Sequence, residues 1–171
     1  MKEIETKFFV RNFREIIPRL KQMGANLDWK GTEVSSFYDT PDAKLRGISS
    51  NLRLREWTGH SITMTLKTKP PKADDSKYKA RNEYQIEIDN LKTAEKILEN
   101  LGFRKYLLTI KKRQHWKLGK ISVELDTMKG HNIVEIEAAP KKIEELANKL
   151  GLDWKNSTTK SYIALWRELS S

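Results

Sequence analysis

Glu3-Ile4-Glu5-Thr6-Lys7 opens the chain with two carboxylates and an ammonium at every second position. Alternate side chains of a strand share a face, so all three point one way, with neighbours roughly 7 Å apart. Two carboxylates so placed can converge on a hard divalent cation, and the lysine beyond them can hold an anion that the cation also binds. That is half of a site for a metal and a phosphate. On its own the pattern is first read as the solvated charged face of an edge strand. What the remaining sequence sets opposite it reverses that reading.

Working outward, strands dominate. Period-two alternation predicts them near 2–10, 28–40, 50–58, 61–69, 78–89, 105–117, 120–127 and 131–139, a count that suits an antiparallel sheet or barrel. Thr58-Gly59-His60-Ser61, Lys117-Leu118-Gly119-Lys120 and Met128-Lys129-Gly130-His131 are the expected hairpin turns. Helices interrupt the strands in a repeated way. Asn12 can cap a helix over 13–23, with Glu15 closing a capping box, Pro18 bending it and Gly24 ending it. Residues 92–101 before Gly102 and 141–150 before Gly151 repeat the scheme, and a last helix over 158–169 carries Tyr162, Leu165, Trp166 and Leu169 at helical spacing. The aromatics there are read as core. Lys69-Pro70-Pro71-Lys72-Ala73-Asp74-Asp75-Ser76-Lys77 reads as a mobile loop within one domain spanning 1–171.

Composition narrows the setting. A chain of 171 residues can bury roughly 70% of its unfolded surface. It has no cysteine, which excludes disulfides, thiol nucleophiles and cysteine metal sites. No apolar run approaches the roughly 20 residues that span a bilayer, and the charged N-terminus lacks a signal-peptide pattern, so a cytoplasmic protein with no membrane partner is expected. The formal charge of +10 favours polyanionic partners without choosing among them.

Most strands pair an apolar face with a charged one. Leu52 and Leu54 oppose Arg53 and Arg55; Ile62, Met64 and Leu66 oppose Lys67 and Lys69; Tyr84, Ile86 and Ile88 oppose Arg81, Glu83 and Glu87. Leu108 and Ile110 oppose Lys111 and Arg113, Val123 and Leu125 oppose Glu124 and Asp126, and Val134 and Ile136 oppose Glu135 and Glu137. The amphipathic helices need the apolar faces, so helices outside a closed sheet would turn the charges inward. Such a lumen would hold eight acids (Glu3, Glu5, Glu83, Glu87, Glu124, Asp126, Glu135, Glu137) and eight bases (Lys7, Arg53, Arg55, Lys67, Lys69, Arg81, Lys111, Arg113). Charges at that density call for a bound metal and a bound polyanion. By contrast His60, His115 and His131 are scattered in or beside turns and read as solvated or structural, and no glycine-rich phosphate loop or nucleophilic triad is present.

The ordered set Glu3-x-Glu5-x-Lys7, Tyr38-Asp39-Thr40, Leu52-Arg53-Leu54-Arg55, Thr65-Leu66-Lys67, Arg81-x-Glu83, Lys111-x-Arg113, Leu125-Asp126 and Val134-Glu135-Ile136-Glu137 resembles the CYTH superfamily of triphosphate tunnel metalloenzymes. Lys160-Ser161-Tyr162 resembles that family's closing helix segment. The resemblance implies an α+β fold, an eight-stranded antiparallel β tunnel with helices outside, that binds a triphosphate with Mg²⁺ or Mn²⁺. It assigns metal binding to Glu3, Glu5, Glu135 and Glu137, with Asp126 and Glu83 as candidates for a second ion or an activated water. Phosphate binding falls to Lys7, Arg53, Arg55, Lys67, Arg81, Lys111 and Arg113, and Lys7 and Glu83 are the catalytic candidates. Arginine forks suit phosphate oxygens, and lysines act as point charges. The departure is Gln85, where the family usually carries a second glutamate; Glu87 shares its face.

A metal-dependent triphosphatase needs only these features. A class IV adenylyl cyclase would also need a pocket for the base, for which the sequence offers no signature. A non-catalytic polyphosphate- or nucleotide-binding module is the third reading. The expected partner is a triphosphate-bearing small molecule such as tripolyphosphate, ATP or thiamine triphosphate; nucleic acid is not expected, and the protein would be a monomer or homodimer.

Overall fold

Alternation in the sequence becomes nine strands in the computed structural model, which describes residues 2–70 and 77–170. They are β1 (Lys2–Val10), β2 (Asn26–Asp39), β3 (Asn51–Trp57), β4 (Ser61–Thr68), β5 (Lys79–Glu87), β6 (Arg104–Leu118), β7 (Ile121–Met128), β8 (His131–Glu137) and β9 (Ser157–Thr158). The helices are α1 (Ile16–Gln22), α2 (Lys44–Gly47), α3 (Leu91–Asn100), α4 (Pro140–Leu150) and α5 (Tyr162–Glu168). Strands hydrogen-bond in the order β5-β4-β3-β2-β6-β7-β8-β1-β9, and β5 also pairs with β1. The first eight therefore close into an antiparallel barrel with the helices outside, which removes exposed sheet edges. Most of the expected loop from Lys69 to Lys77 lies outside the described residues. No helix of the described residues is long and apolar enough to cross a membrane.

Contacts divide the described residues into two compact units, one built from Lys2, 32–70 and 81–110, the other from 3–31, 77–80 and 111–170. In the second unit, Phe8, Trp116, Val123, Leu125, Val134 and Ile136 turn one face of β1, β6, β7 and β8 onto Ile16 and Leu20 of α1 and Ile143, Leu146 and Leu150 of α4. Truncating a fully buried member such as Ile136 to alanine would cost about 2–5 kcal/mol. Pro140 starts α4 at a position needing no N–H, and Gly151 ends it at φ 72°. Arg19 Nη1 then donates to the Leu150 carbonyl at 2.7 Å, tying α1 to that end. Between β7 and β8, Lys129 and Gly130 both take positive φ (50° and 81°), as a two-residue hairpin requires.

Two helix starts differ from expectation. Asn12 Oδ1 accepts from the Arg14 N–H, but α1 begins only at Ile16; Glu15 pairs with Arg19 instead of capping, and Pro18 falls in the first turn, where it disrupts little. The last helix starts at Tyr162, not 158, because Ser157 and Thr158 pair with β1 and Ser161 Oγ caps the Ala164 N–H. Its Leu165 packs with Met128 and Ile133.

In the first unit, Tyr38, Leu52 and Leu54 pack beneath Ala94 and Leu98 of α3, which starts where Asn90 Oδ1 accepts from the Thr93 N–H. After β2, Asp39 organises α2: its carboxylate accepts from the N–H groups of Thr40, Leu45 and Arg46 and from Arg46 Nε. Sequence patterning gave no sign of α2 or β9.

Candidate metal and phosphate site

On the second unit's strands, the face opposite the core carries the charges. Register sets Glu5 across from Glu137 and Lys7 across from Glu135 between β1 and β8. It likewise sets Glu124 across from Glu135, Arg113 from Asp126 and His115 from Glu124. Glu3, Glu5, Lys7, Lys111, Arg113, Glu124, Asp126 and Glu135 are all buried. An uncompensated charge there would cost several kcal/mol, and dense pairing offsets this.

Lys7 Nζ, 1% exposed, lies 2.5 Å from Glu5 Oε1 and 2.7 Å from Glu135 Oε1, and Lys79 Nζ lies 2.9 Å from the same Glu5 oxygen. Burial works against the Lys7 charge, but the carboxylates of Glu135 and Glu5 outweigh it and raise the ammonium above its ordinary value. Glu135 is pushed up from the usual carboxylate range by burial, with the Glu5 charge adding to it and Lys7, Arg113 and Lys111 opposing. A buried carboxyl that resists ionisation is one a further cation would relieve.

Asp126 is the other hub. Arg113 and Lys111 donate to its two oxygens, and the Tyr162 hydroxyl of α5 donates to Oδ2 as well. Lys111 Nζ also sits 3.5 Å from the Tyr162 ring centroid. Burial, then the charges of Asp126 and Glu135, hold the Tyr162 phenol well above its ordinary value, so it remains a donor. Arg113 reaches on to Glu135 Oε2 at 3.1 Å, joining the two hubs.

The glutamates are the donor type of a hard cation such as Mg²⁺ or Mn²⁺. Among the described residues no three His, Asp or Glu side chains converge as a ready metal cage; the positive charge between Glu5 and Glu135 is that of Lys7. In chemistry Glu3, Glu5, Glu135 and Glu137 fit a divalent ion. Protein donors already occupy both oxygens of Asp126, and both of Glu135 through Lys7 and Arg113, so a cation at either would displace a lysine or an arginine.

The first unit carries its own charged face. Arg53, Arg55 and Trp57 of β3 lie across from Phe37, Ser35 and Glu33 of β2 and from Thr65, Thr63 and Ser61 of β4. Arg53 Nε is buried with no hydrogen-bond partner among the described residues. Arg55 donates to Thr63 Oγ1 at 3.3 Å and to Gln85 Oε1 at 3.0 Å, and Thr65 donates to the same Gln85 oxygen. Gln85 thus serves as a neutral acceptor for an arginine. Lys67 lies 3.7 Å from Glu83. Arg81 is partly buried, whereas Glu87 and Lys69 are exposed, Lys69 beyond the end of β4.

His115 differs from expectation: it lies inside β6, buried, with Nδ1 2.7 Å from Glu124 Oε1. Sequence reading also missed Lys79 and the part played by Tyr162. Lys79 had a signal, since it shares the alternation of Arg81 and Glu83. Tyr162 had only its place in an apolar stripe and in the Lys160-Ser161-Tyr162 segment, neither of which points to Asp126.

The CYTH domain family model matches residues 1–162. A Methanocaldococcus jannaschii protein, provisionally named an adenylate cyclase, is 24% identical over 96% of this chain and 98% of its own. A Vibrio parahaemolyticus crystal structure, again provisionally named an adenylate cyclase, shares the fold at TM-score 0.82 with 24% identity, covering 99% of this chain and 98% of that one. A Hippeastrum protein, described as an adenylyl cyclase candidate with a dominant triphosphatase activity, aligns at TM-score 0.68 and 16% identity over 97% of this chain and 95% of that one.

Proposed function

Since this chain belongs to the CYTH domain family, we propose that it is a divalent-metal-dependent enzyme that hydrolyses inorganic or organic triphosphates. The observation that carries this reading is the buried ammonium of Lys7 between Glu5 and Glu135, joined through Arg113 to Asp126 and Lys111. Carboxylates and cations are interleaved there as a metal–polyanion pair would need. Glu3, Glu5, Glu135 and Glu137 are assigned the cation, which when bound supplies neutralisation of phosphate oxygens and polarisation of the phosphorus. Lys7, Lys111 and Arg113 are assigned phosphate oxygens. Arg53, Arg55, Lys67 and Arg81 of the first unit receive the same assignment, and Glu83 the activation of water, on the family resemblance. Asp126 is assigned the orientation of Arg113 and Lys111. In hydrolysis the water oxygen bonds to phosphorus, the P–O anhydride bond breaks and the water proton leaves to a base, so catalysis rests on positioning and electrostatics. One CYTH domain over 1–171, working in the cytoplasm as a monomer or homodimer, completes the proposal.

A cyclase reaction is the second reading, favoured by the name of the Methanocaldococcus relative. Purified protein incubated with ATP or tripolyphosphate in Mg²⁺ or Mn²⁺ separates the two. Orthophosphate release supports the hydrolase, and cyclic AMP with equimolar pyrophosphate would replace it by the cyclase. Metal-dependent binding without either product would leave a binding module, and no binding at all would overturn the whole reading.

A further inference from the structure

Leu52 and Leu54 of β3 lie under α3, and register places Leu66 and Met64 of β4 beside them, with Tyr84 and Ile86 of β5 next along. Cross-strand partners share a face, so all six point away from the charged side of their strands. The outward file of β4 reads Ile62, Met64, Leu66 and Thr68, and that of β5 reads Asn82, Tyr84, Ile86 and Ile88, with no charge in either. That is the composition of a covered surface, like the one on which α1 and α4 pack in the other unit. Here, however, Tyr84 and Ile86 are left 61% and 60% exposed.

Helix α3 adds to the same face. Glu95 turns towards β2 and β6, where it accepts from the Tyr38 hydroxyl and from Lys105. Ile97, about 200° further round the helix, turns the other way, towards β4, and Leu101 follows it one turn on. These two are 52% and 67% exposed. Leu52, Met64 and Leu66 line a trough of about 750 Å³ together with Tyr84 and Ile86.

Four large side chains more than half exposed present on the order of 400 Å² of apolar surface, as much as the largest patch on most monomers. Two copies face to face, with the trough walls included, would bury about 1,000 Å², which reaches the threshold of a specific interface. Charge also favours a second copy. Residues 32–70 and 81–110 hold eleven Lys or Arg and nine Asp or Glu, against twenty and twelve in 3–31, 77–80 and 111–170. A protein of net charge +10 therefore repels its own kind least through this unit, and the uncharged strand files offer nothing that selects a polyanion or an anionic membrane. Ridge and trough lie side by side, so a two-fold rotation can seat each copy's ridge in the other's trough.

We infer that the outer face of β4, β5 and α3 is the interface of a homodimer. The inference is independent of the reaction, because these strand residues alternate with Arg53, Lys67 and Glu83, which belong to the opposite face.

Sedimentation of the parent over about 1–200 µM should show one chain passing to two, with a micromolar Kd as suits an interface of this size. High salt should leave the dimer intact or strengthen it, since salt screens the net charge and not an apolar contact. Hydroxyl-radical footprinting should show Tyr84, Met64 and Leu101 protected at the concentrated end, but not Leu27, which is 45% exposed in the other unit. Ile86→Lys and Ile97→Lys should each raise Kd at least about a hundredfold, because both copies then bury an unpaired ammonium. Leu27→Lys should leave Kd unchanged. A parent that is monomeric throughout would overturn the inference, and so would a dimer that leaves Tyr84 unprotected or dissociates in salt; these results need no variant to fold. Flotation of the monomer with phosphatidylcholine vesicles, with the same protection, would overturn it in favour of a bilayer.

Discussion

Arg113 grips Asp126 by two parallel bonds, Nε to Oδ1 at 2.7 Å and Nη2 to Oδ2 at 2.6 Å, with the carboxylate wholly out of solvent. Lys111 at 3.0 Å and the Tyr162 hydroxyl share Oδ2, so one carboxylate positions two cations and a helix. Asp126→Asn should therefore destabilise the protein by about 3–5 kcal/mol, the scale of breaking a buried ion pair. Urea unfolding with and without Mg²⁺ checks it. A loss that appears only when Mg²⁺ is present would show that Asp126 serves a metal instead.

Tyr162→Phe keeps the ring over Lys111 and removes only the hydroxyl bond to Asp126. It should cost about 1–3 kcal/mol, as for a hydrogen bond to a charged group. Tyr162→Leu should cost more by the cation–π share, about 0.5–2 kcal/mol. Equal unfolding midpoints for the two variants would deny the ring contact any weight.

Glu5→Gln removes one carboxylate from the proposed cation site while leaving Lys7 its contact with Glu135. The variant should remain folded by circular dichroism, yet lose at least about a hundredfold in metal-dependent turnover, because Lewis-acid stabilisation is worth several kcal/mol. Near-parent turnover at saturating Mg²⁺ would remove Glu5 from the metal assignment.

Asp39 supplies a pH prediction away from the site. Burial alone would raise its carboxyl, but bonds from the Leu45 N–H, from Arg46 and from the Thr40 N–H outweigh it and depress the folded value. The unfolded chain then binds the proton more readily, so this stabilisation is complete above the ordinary value near about 4 and is lost as pH falls through the lower folded value. Asp39→Asn should be about 2–4 kcal/mol less stable than the parent near neutrality. That gap should close as the pH falls below about 4. A gap independent of pH would mean that Asp39 acts by shape and not by charge.

Ligand should stabilise a buried charged array by mass action. Tripolyphosphate with Mg²⁺ at 100 times the dissociation constant should add about 2.7 kcal/mol. At roughly 2–4 °C per kcal/mol for a domain of this size, Tm should rise by several degrees. The pair should exceed the sum of its parts, and orthophosphate at equal ionic strength should do much less. Equal shifts from sulfate, orthophosphate and tripolyphosphate would reduce the effect to screening of a +10 protein.

The sequence by itself determined the strands and which face of each is charged. All eight expected strands, β1 to β8, lie within two residues of their expected limits, because a period of two is local and survives any partner. From the same alternation came the division between apolar and charged faces, and with it the pool of site residues; helices cover the apolar face on β1, β3, β7 and β8, whereas Tyr84 and Ile86 of β5 and Leu108 and Ile110 of β6 stay exposed. Tertiary structure decided which of those residues meet. Lys7 reaches Glu135, Arg113 reaches Asp126, and Gln85 serves Arg55 only because strand register sets them across from one another or one strand apart. Register is a property of two strands at once, and neither strand alone records it. The late start of α5 and the pairing of Ser157 and Thr158 with β1 have the same origin: a sheet's backbone hydrogen bonds overrode a helical pattern that the side chains had suggested. The reach of Tyr162 to Asp126, and the stack of Trp57 with His60, required the folded chain, because a contact across 36 residues or around a turn leaves no periodic trace in the sequence.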